Sequence, residues 1–306
     1  MMKADDLTVC AEQRVEVRES ALRALNEAAA FGVFPTPVDE IMRAAKVEIV
    51  PMIIDEGYLA RLRRKAEQAG RALLSAITKV WGVFDPNARI AFIDPDTPKE
   101  KLPFLKLHEG GHALLPWQSI FGLFEDCRKT LDPDIKAQFE REANVFASDV
   151  LFQLDQFRFD AADLEFGINA PLKLAKRYGA SVYSTARRYV STSDRICAVI
   201  ILNPAELHPD IGVLSMLRRV VVSPSFEAHF GRFAWPEWVL PRDPLGKLIP
   251  YNRMTKARSL SMRDGNGEMQ EFVAEAFRTP HQTIILLHAT MTLNRTIILP
   301  AQQVLL

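Results

Sequence analysis

The spacing of hydrophobic and polar residues changes once along this chain of 306 residues, near residue 193. Before that point apolar side chains recur every three or four positions, a period that predicts amphipathic helices. The predicted helices cover residues 17–31, 37–45, 58–77, 103–115, 133–151, 171–177 and 182–190. Thr36 and Ser181 precede two of these helices, and we expect both to act as N-caps. Short apolar runs at residues 47–52, 80–84 and 90–93 predict strands between the helices.

Beyond residue 193 the pattern becomes strand-like, with proline-containing loops between the apolar runs. The predicted strands cover residues 195–202, 218–222, 283–287 and 296–299, and one helix is predicted at residues 269–277. We therefore predict an α+β fold in three parts. A flexible N-terminal tail covers residues 1–16, and a mostly helical domain with a small sheet covers residues 17–193. A β-rich C-terminal domain covers residues 194–306.

Composition and the lengths of the apolar runs indicate which classes of protein this chain can belong to. Hydrophobic residues make up 48% of the chain, which is enough for a sizeable core, and the net charge is zero. Without a basic excess, we expect no direct binding to nucleic acid. No apolar run is long enough for a signal peptide or a membrane span, so we expect a cytoplasmic protein without membrane contact. Cys10, Cys127 and Cys197 are widely separated and predict neither a metal cluster nor a disulfide framework.

The candidate chemistry begins with the sequence His-Glu-Gly-Gly-His at residues 108–112. Two histidines four positions apart on a helix lie one turn above each other, so both imidazoles can reach one metal ion. Glu109 then stands beside the open coordination position and is the candidate general base. The alternative is a pair of core histidines with hydrogen-bonded partners. Adjacent glycines cost a helix about 1 kcal/mol each relative to alanine, which indicates that the helix leaves room for a metal, a substrate or a close neighbour.

A catalytic zinc ion needs a third protein ligand, and two glutamates on the helix at residues 133–151 compete for this position. At about 100° per residue, Glu140 shares a face with small and apolar residues that include Ala143 and Ala147. Glu142 points away from that face and is interpreted as a solvated charge. A carboxylate on an inward face is costly unless it is paired or bound to a metal. The helical phase therefore favours Glu140 as the third metal ligand, and Glu142 is the second choice. The alternative role for Glu140 is a salt bridge to a nearby basic residue instead of metal binding.

These residues resemble the ImmA/IrrE family of metallopeptidases, whose signature pairs the His-Glu-x-x-His motif with a later helix reading Glu-x-x-Ala-Asn-x-Phe-Ala. Here the second element occupies residues 140–147, and the resemblance extends over roughly residues 19–192. The resemblance implies a zincin-like metallopeptidase domain in which Zn²⁺ is held by His108, His112 and Glu140. One departure is Gly110, where the family usually has leucine.

The resemblance also implies a function: a zinc-dependent endopeptidase in stress response and transcription regulation. Relatives cleave a helix-turn-helix transcriptional repressor, so a protein substrate of that kind is expected here. The alternative is a catalytically weak zinc-binding sensor or interaction protein, which binds a repressor or antitoxin without cleaving it. The sequence leaves the oxyanion-stabilising residue open, and the candidates are Tyr178, Tyr183, Tyr189 and the isolated histidines His208, His229, His281 and His288.

Overall fold

The structure is a computed structural model that describes residues 7–52, 82–85, 87–118, 133–210, 212–231 and 233–290. The chain forms two compact units. The first extends to Leu164 and includes Leu172–Thr185, and the second contains Glu165–Pro171 and continues from Ala186. Helices and strands are both abundant, so the predicted α+β class is confirmed. None of the described helices combines the length and the apolar run needed to cross a membrane.

Helices dominate the described chain before residue 192. They are α1 (Ala11–Glu27), α2 (Val38–Ala44), α3 (Leu102–Leu114), α4 (Pro133–Leu151), α5 (Gln156–Ala162), α6 (Asn169–Tyr178) and α7 (Val182–Ser191). A small sheet accompanies them, with strands β1 (Glu48–Pro51), β2 (Gly82–Asp85) and β3 (Ile90–Ile93) in the order β1-β3-β2. Strand β3 runs parallel to β1 and antiparallel to β2. The predicted helix at residues 58–77 lies outside the described residues.

Helix α1 begins inside the predicted flexible tail, at Ala11. Its apolar face is buried through Val17, Ala21 and Leu25, which follow one another at helical spacing. Arg14 adds an ion pair of 2.9 Å to Asp149, which is fully buried on α4. Polar composition alone suggested a frayed segment here, but the arginine has a specific partner that orders the first turns of the helix.

The two predicted N-caps differ in outcome. The Ser181 hydroxyl accepts a hydrogen bond of 3.1 Å from the backbone N–H of Ser184, so this cap is confirmed. The prediction for Thr36 is wrong, because the N-cap position of α2 belongs to Pro37 and has no side-chain cap. The buried Thr36 hydroxyl instead donates to the carbonyl oxygen of Leu151 at 2.8 Å. A residue that looks like a local cap therefore connects two distant segments.

The second unit contains a sheet whose described strands all pair antiparallel. Its strands are β4 (Cys197–Leu202), β5 (Glu206–His208), β6 (Gly212–Val222), β7 (Trp238–Val239), β8 (Arg258–Arg263), β9 (Met269–Thr279) and β10 (Gln282–Ala289). The order is β5-β6-β4-β10-β9-β8, and β7 pairs with β6. Helix α8 (Pro224–Phe230) packs Phe226 and Phe230 onto the sheet core beside Phe272. Every residue of β4 is buried, as its apolar run predicts.

The predicted helix at residues 269–277 is wrong, because this segment is strand β9. Phe272, Ala274 and Ala276 are buried at alternate positions, the period of a strand. The segment pairs with β8 on one side and β10 on the other, so both of its edges are hydrogen bonded. The predicted strand at residues 296–299 lies outside the described residues.

Candidate metal centre

Helix α3 carries the two histidines on one face. Pro103 lies in its first turn, where the missing backbone N–H costs no helical hydrogen bond. The rings of His108 and His112 are separated by 5.0 Å between centroids and stand almost perpendicular to each other. Helical spacing therefore places both imidazoles side by side, as two ligands of one ion would be.

Glu140 reaches this pair of histidines from helix α4. Its Oε2 lies 3.3 Å from Nε2 of His108, and its Oε1 lies 3.9 Å from Nε2 of His112. One potential ligand atom from each residue lies within 4.8 Å of the other two, close enough for the three to hold one metal ion. Of the two competing glutamates, the structure brings Glu140 to the histidines. Its side chain is 51% exposed, so the group opens to solvent on that side.

The charges of the three groups are coupled. Burial disfavours the protonated form of His108, but the hydrogen bond that its ring N–H donates to Glu140, together with the charges of Glu109 and Glu140, outweighs burial and raises the pKa of His108. The same hydrogen bond lowers the pKa of Glu140, against the opposing effect of its burial. A negative carboxylate therefore faces the imidazoles, which is the charge arrangement that attracts a cation.

Glu109 is 5% exposed and lies next to the first histidine. Burial is the largest influence on its carboxyl group and raises its pKa to about 7, while His108 opposes the shift and Glu140 adds to it. A buried carboxylate with a pKa near neutrality can accept and return a proton at physiological pH. Its place beside the three converging side chains is the place that the motif predicts for a general base.

The paired glycines bring α3 close to its neighbours. A Cβ atom on Gly111 would lie 3.2 Å from Cδ1 of Phe146 and 3.3 Å from the backbone Cα of Ala143, both on α4. A Cβ atom on Gly110 would lie 2.6 Å from Sδ of Met42 on α2. Of the explanations considered for these glycines, the structure shows the close-packed neighbour. We therefore expect glycine at 111 to favour the close approach of α4, from which Glu140 reaches the histidines.

The interpretation of Glu142 as a solvated charge is wrong. Its side chain is buried, with 1% of the residue exposed, and its Oε2 accepts hydrogen bonds of 2.7 Å from Trp117 Nε1 and Gln118 Nε2. Gln138 Nε2 donates to its Oε1 at 2.9 Å. Helical phase places Glu142 away from the face of α4 that packs on α3. Trp117 and Gln118, which follow α3, cover a second face of α4 and bury Glu142 there. Trp117 and Gln118 are also the residues that sequence reasoning missed, since no motif marks them.

Tyr178, a candidate for stabilising an oxyanion, has its hydroxyl group engaged elsewhere. It donates a hydrogen bond of 2.8 Å to Asp160, and its ring packs against Phe34, Phe152 and Phe157. Burial and this hydrogen bond both raise the pKa of its phenol. In the second unit, the rings of Tyr189 and His288 both pack against Phe166, and burial raises the pKa of Tyr189 to about 12.

The cysteines within the described residues form no disulfide: Cys10 is exposed and Cys197 is buried, both as thiols. Cys127 lies outside the described residues. Burial raises the pKa of the Cys197 thiol, against the opposing hydrogen bonds of Ser193 and Ser223.

Comparison with known proteins gives a likeness in fold. No protein-family model matches this chain, and no curated protein matches it. Among solved structures it is similar to one described as a "Mycobacterium tuberculosis transcriptional regulator", with a TM-score of 0.53 and 12% sequence identity. The match covers 95% of this chain and 93% of that chain. At this identity the likeness extends to the α+β fold and not to the chemistry of the metal centre.

Proposed function

We propose that this protein is a zinc-dependent endopeptidase of the ImmA/IrrE type, which hydrolyses a peptide bond in a partner protein. One observation carries the proposal: His108, His112 and Glu140 converge from two helices, and the buried carboxyl group of Glu109 lies beside them. A structural ion pair would account for Glu140, but it would not need a second, buried carboxyl group at the same place.

The three side chains fit a zinc ion. Two imidazole nitrogens and one carboxylate form a known ligand set of catalytic zinc, and they leave a fourth position open. Hard cations such as Mg²⁺ and Ca²⁺ prefer sites made of oxygen atoms alone, so two nitrogen ligands favour a transition metal. The 51% exposure of Glu140 supports a centre that a substrate can approach.

When bound, zinc would supply a Lewis acid that makes water acidic and polarises the scissile carbonyl group. Glu109 takes the proton from the attacking water at its carboxylate and passes it to the leaving amine. Burial raises the pKa of Glu109 to about 7, a value that suits a group that accepts and returns a proton. His108, His112 and Glu140 would hold the metal and so orient the reacting groups, since the three side chains converge from α3 and α4.

The proposed substrate is a helix-turn-helix transcriptional repressor. The support is the resemblance of residues 108–112 and 140–147 to the family signature, since relatives cleave such repressors. The structural neighbour described as a transcriptional regulator is consistent with a role in regulation.

The test is incubation of the zinc-loaded protein with a helix-turn-helix protein encoded beside it, with mass spectrometry to locate any new chain ends. Glu109→Gln should keep zinc and lose cleavage by about 100- to 10,000-fold, the usual contribution of a general base. His112→Ala should lose the metal together with the activity. Full cleavage by the Glu109→Gln variant would contradict the proposal.

The second candidate is a zinc-binding regulator that holds a repressor without cleaving it, which the description of the structural neighbour favours. The same experiment separates the two functions. The repressor would bind and remain intact with wild-type protein and with Glu109→Gln alike.

A further inference from the structure

A chain of buried hydrogen bonds leads from His112 away from the metal centre. The Nδ1 atom of His112 lies 2.7 Å from Oε1 of Gln118. The Nε2 atom of Gln118 donates to Oε2 of Glu142 at 2.7 Å and to the backbone carbonyl oxygen of Phe139 at 3.1 Å. Gln118 and Glu142 are both buried.

The partners of Gln118 fix which end of its amide faces His112. The carbonyl oxygen of Phe139 can only accept a hydrogen bond, so the amide nitrogen must point toward it. Glu142 also accepts from Trp117 Nε1, a group that can only donate, which confirms that its carboxylate serves as an acceptor here. The amide oxygen of Gln118 is therefore the atom that meets His112.

The orientation of Gln118 in turn fixes the tautomer of His112. An amide oxygen accepts and cannot donate, so Nδ1 of His112 must carry the proton. The lone pair of the neutral imidazole then lies on Nε2, the atom that faces Glu140 Oε1 at 3.9 Å. Ligating histidines commonly donate their other ring N–H to a carboxylate, a carbonyl or water, and a buried glutamine provides the acceptor in this chain.

We propose that Gln118 and Glu142 are positioning residues that hold His112 in the Nδ1–H tautomer, with Nε2 directed at the metal. The proposal deepens the proposed function and rests on it for the identity of the metal. Helix α4 thereby contributes twice: Glu140 faces the metal directly, and Glu142 fixes the partner of His112 from two residues further along. Glu140 and Glu142, which competed for one role in the sequence, have separate roles.

The test is a long-range ¹H–¹⁵N correlation spectrum of the full-length, ¹⁵N-histidine-labelled protein, freed of metal by a chelator and held above neutral pH. The spectrum reports which ring nitrogen of His112 carries the proton. Wild-type protein should show the Nδ1–H form. Gln118→Leu should shift the tautomer ratio toward Nε2–H by about tenfold, the usual effect of losing one hydrogen bond. Titration with zinc alone should show affinity falling by about 10- to 100-fold.

Two further variants keep the test decisive. Glu142→Met removes both acceptor oxygens at a similar side-chain length and leaves Gln118 with the carbonyl oxygen of Phe139 alone, so it should shift the ratio in the same direction, even if Gln118→Leu folds poorly. Gln138→Ala is the matched control, since it removes a different donor to Glu142 and leaves both acceptors of Gln118 in place. Gln138→Ala should therefore retain the wild-type tautomer.

An Nε2–H tautomer in the wild-type protein would overturn the proposal. An unchanged ratio in every folded variant of Gln118 and Glu142 would do the same. The tautomer is read without metal or substrate, so absence of peptide cleavage would not affect this result. Conversely, a wrong tautomer would leave the proposed zinc peptidase standing.

Discussion

Two carboxylates on α4 lie two positions apart in opposite environments. Glu140 is half exposed and faces two imidazoles, whereas Glu142 is buried and surrounded by N–H donors. Removing a buried carboxylate from its donors leaves several polar groups unsatisfied, which is costly. Removing an exposed one at a metal centre costs binding rather than folding. We therefore expect Glu142 to contribute more than Glu140 to the stability of the fold, and Glu140 to contribute more directly to metal binding.

The Tyr178→Phe substitution tests whether the Tyr178 hydroxyl group contributes to stability alone or also to catalysis. The change removes the hydrogen bond to Asp160, and Asp160 keeps its 2.7 Å ion pair with Arg177. We expect the free energy of unfolding to fall by about 1 kcal/mol, the usual worth of one hydrogen bond. Zinc affinity and repressor cleavage should stay at the wild-type level because the hydroxyl group is engaged by Asp160. A large loss of cleavage in a folded Tyr178→Phe protein would return Tyr178 to the candidates for oxyanion stabilisation.

The sequence predicts the converging side chains but not the residues that support them. His108 and His112 follow from helical spacing, and Glu140 follows from helical phase together with the family signature. The contact of Gln118 with Glu142 depends on how residues 115–118, directly after α3, pack against α4. That is a tertiary contact between residues 24 positions apart, and no local period encodes it.

At the scale of elements, the packing of α3 on α4 depends on the glycine at position 111. Gly111→Ala gains about 1 kcal/mol of helix propensity, but its Cβ would press on the backbone of Ala143 and the ring of Phe146. Overpacking of this kind costs about 1–3 kcal/mol. We expect a net loss of stability of about 1 kcal/mol, measured by chemical denaturation, and weaker zinc binding as Glu140 moves away from the histidines.

Gly110→Ala is the matched control. Its Cβ meets the end of the flexible Met42 side chain, which can move at lower cost than a backbone. Stability should remain within about 1 kcal/mol of wild type, with zinc affinity unchanged. Equal losses of zinc affinity in both variants would show that helix approach at position 111 is not what positions Glu140.

The turn between β8 and β9 depends on Asp264. Its carboxylate accepts hydrogen bonds from the side chain of Gln270 and the backbone N–H groups of Asn266 and Glu268, and these lower its pKa. A lowered pKa in the folded state stabilises the protein above the unfolded pKa of about 4. This contribution disappears as the pH falls through the folded value.

Asp264→Asn should therefore lower the melting temperature at neutral pH, and the difference from wild type should shrink as the pH falls below 4. Thermal melts at a series of pH values would measure this. A difference that is constant with pH would show that the carboxylate charge does not stabilise the turn.

Residues 269–277 are predicted as a helix but form part of strand β9. The segment contains Met269, Glu271, Ala274, Glu275 and Ala276, which are residues that favour helices in isolation. Strands β8 and β10 supply partners on both sides, and cross-strand packing overrides a local preference. Strand β4 was predicted because its apolar run leaves no such conflict, since all its residues are buried.

In the whole molecule, the three residues of the candidate metal centre all lie in the first unit. Zinc should therefore stabilise the first unit by about 2.7 kcal/mol when its concentration is a hundred times the dissociation constant. We expect slower amide hydrogen exchange in α3 and α4 on addition of zinc, and little change in β4, β9 and β10 of the second unit. Mass-spectrometric hydrogen exchange resolves these segments. Protection confined to the second unit would place the metal elsewhere.

We expect one zinc ion to be held between α3 and α4. The decisive measurement is anomalous diffraction on both sides of the zinc absorption edge, from crystals of the zinc-loaded protein. It should give one peak bonded to Nε2 of His108, Nε2 of His112 and a carboxylate oxygen of Glu140, at about 2.0–2.2 Å from each. No peak at these atoms, or a peak bonded to Glu142 instead of Glu140, would contradict it.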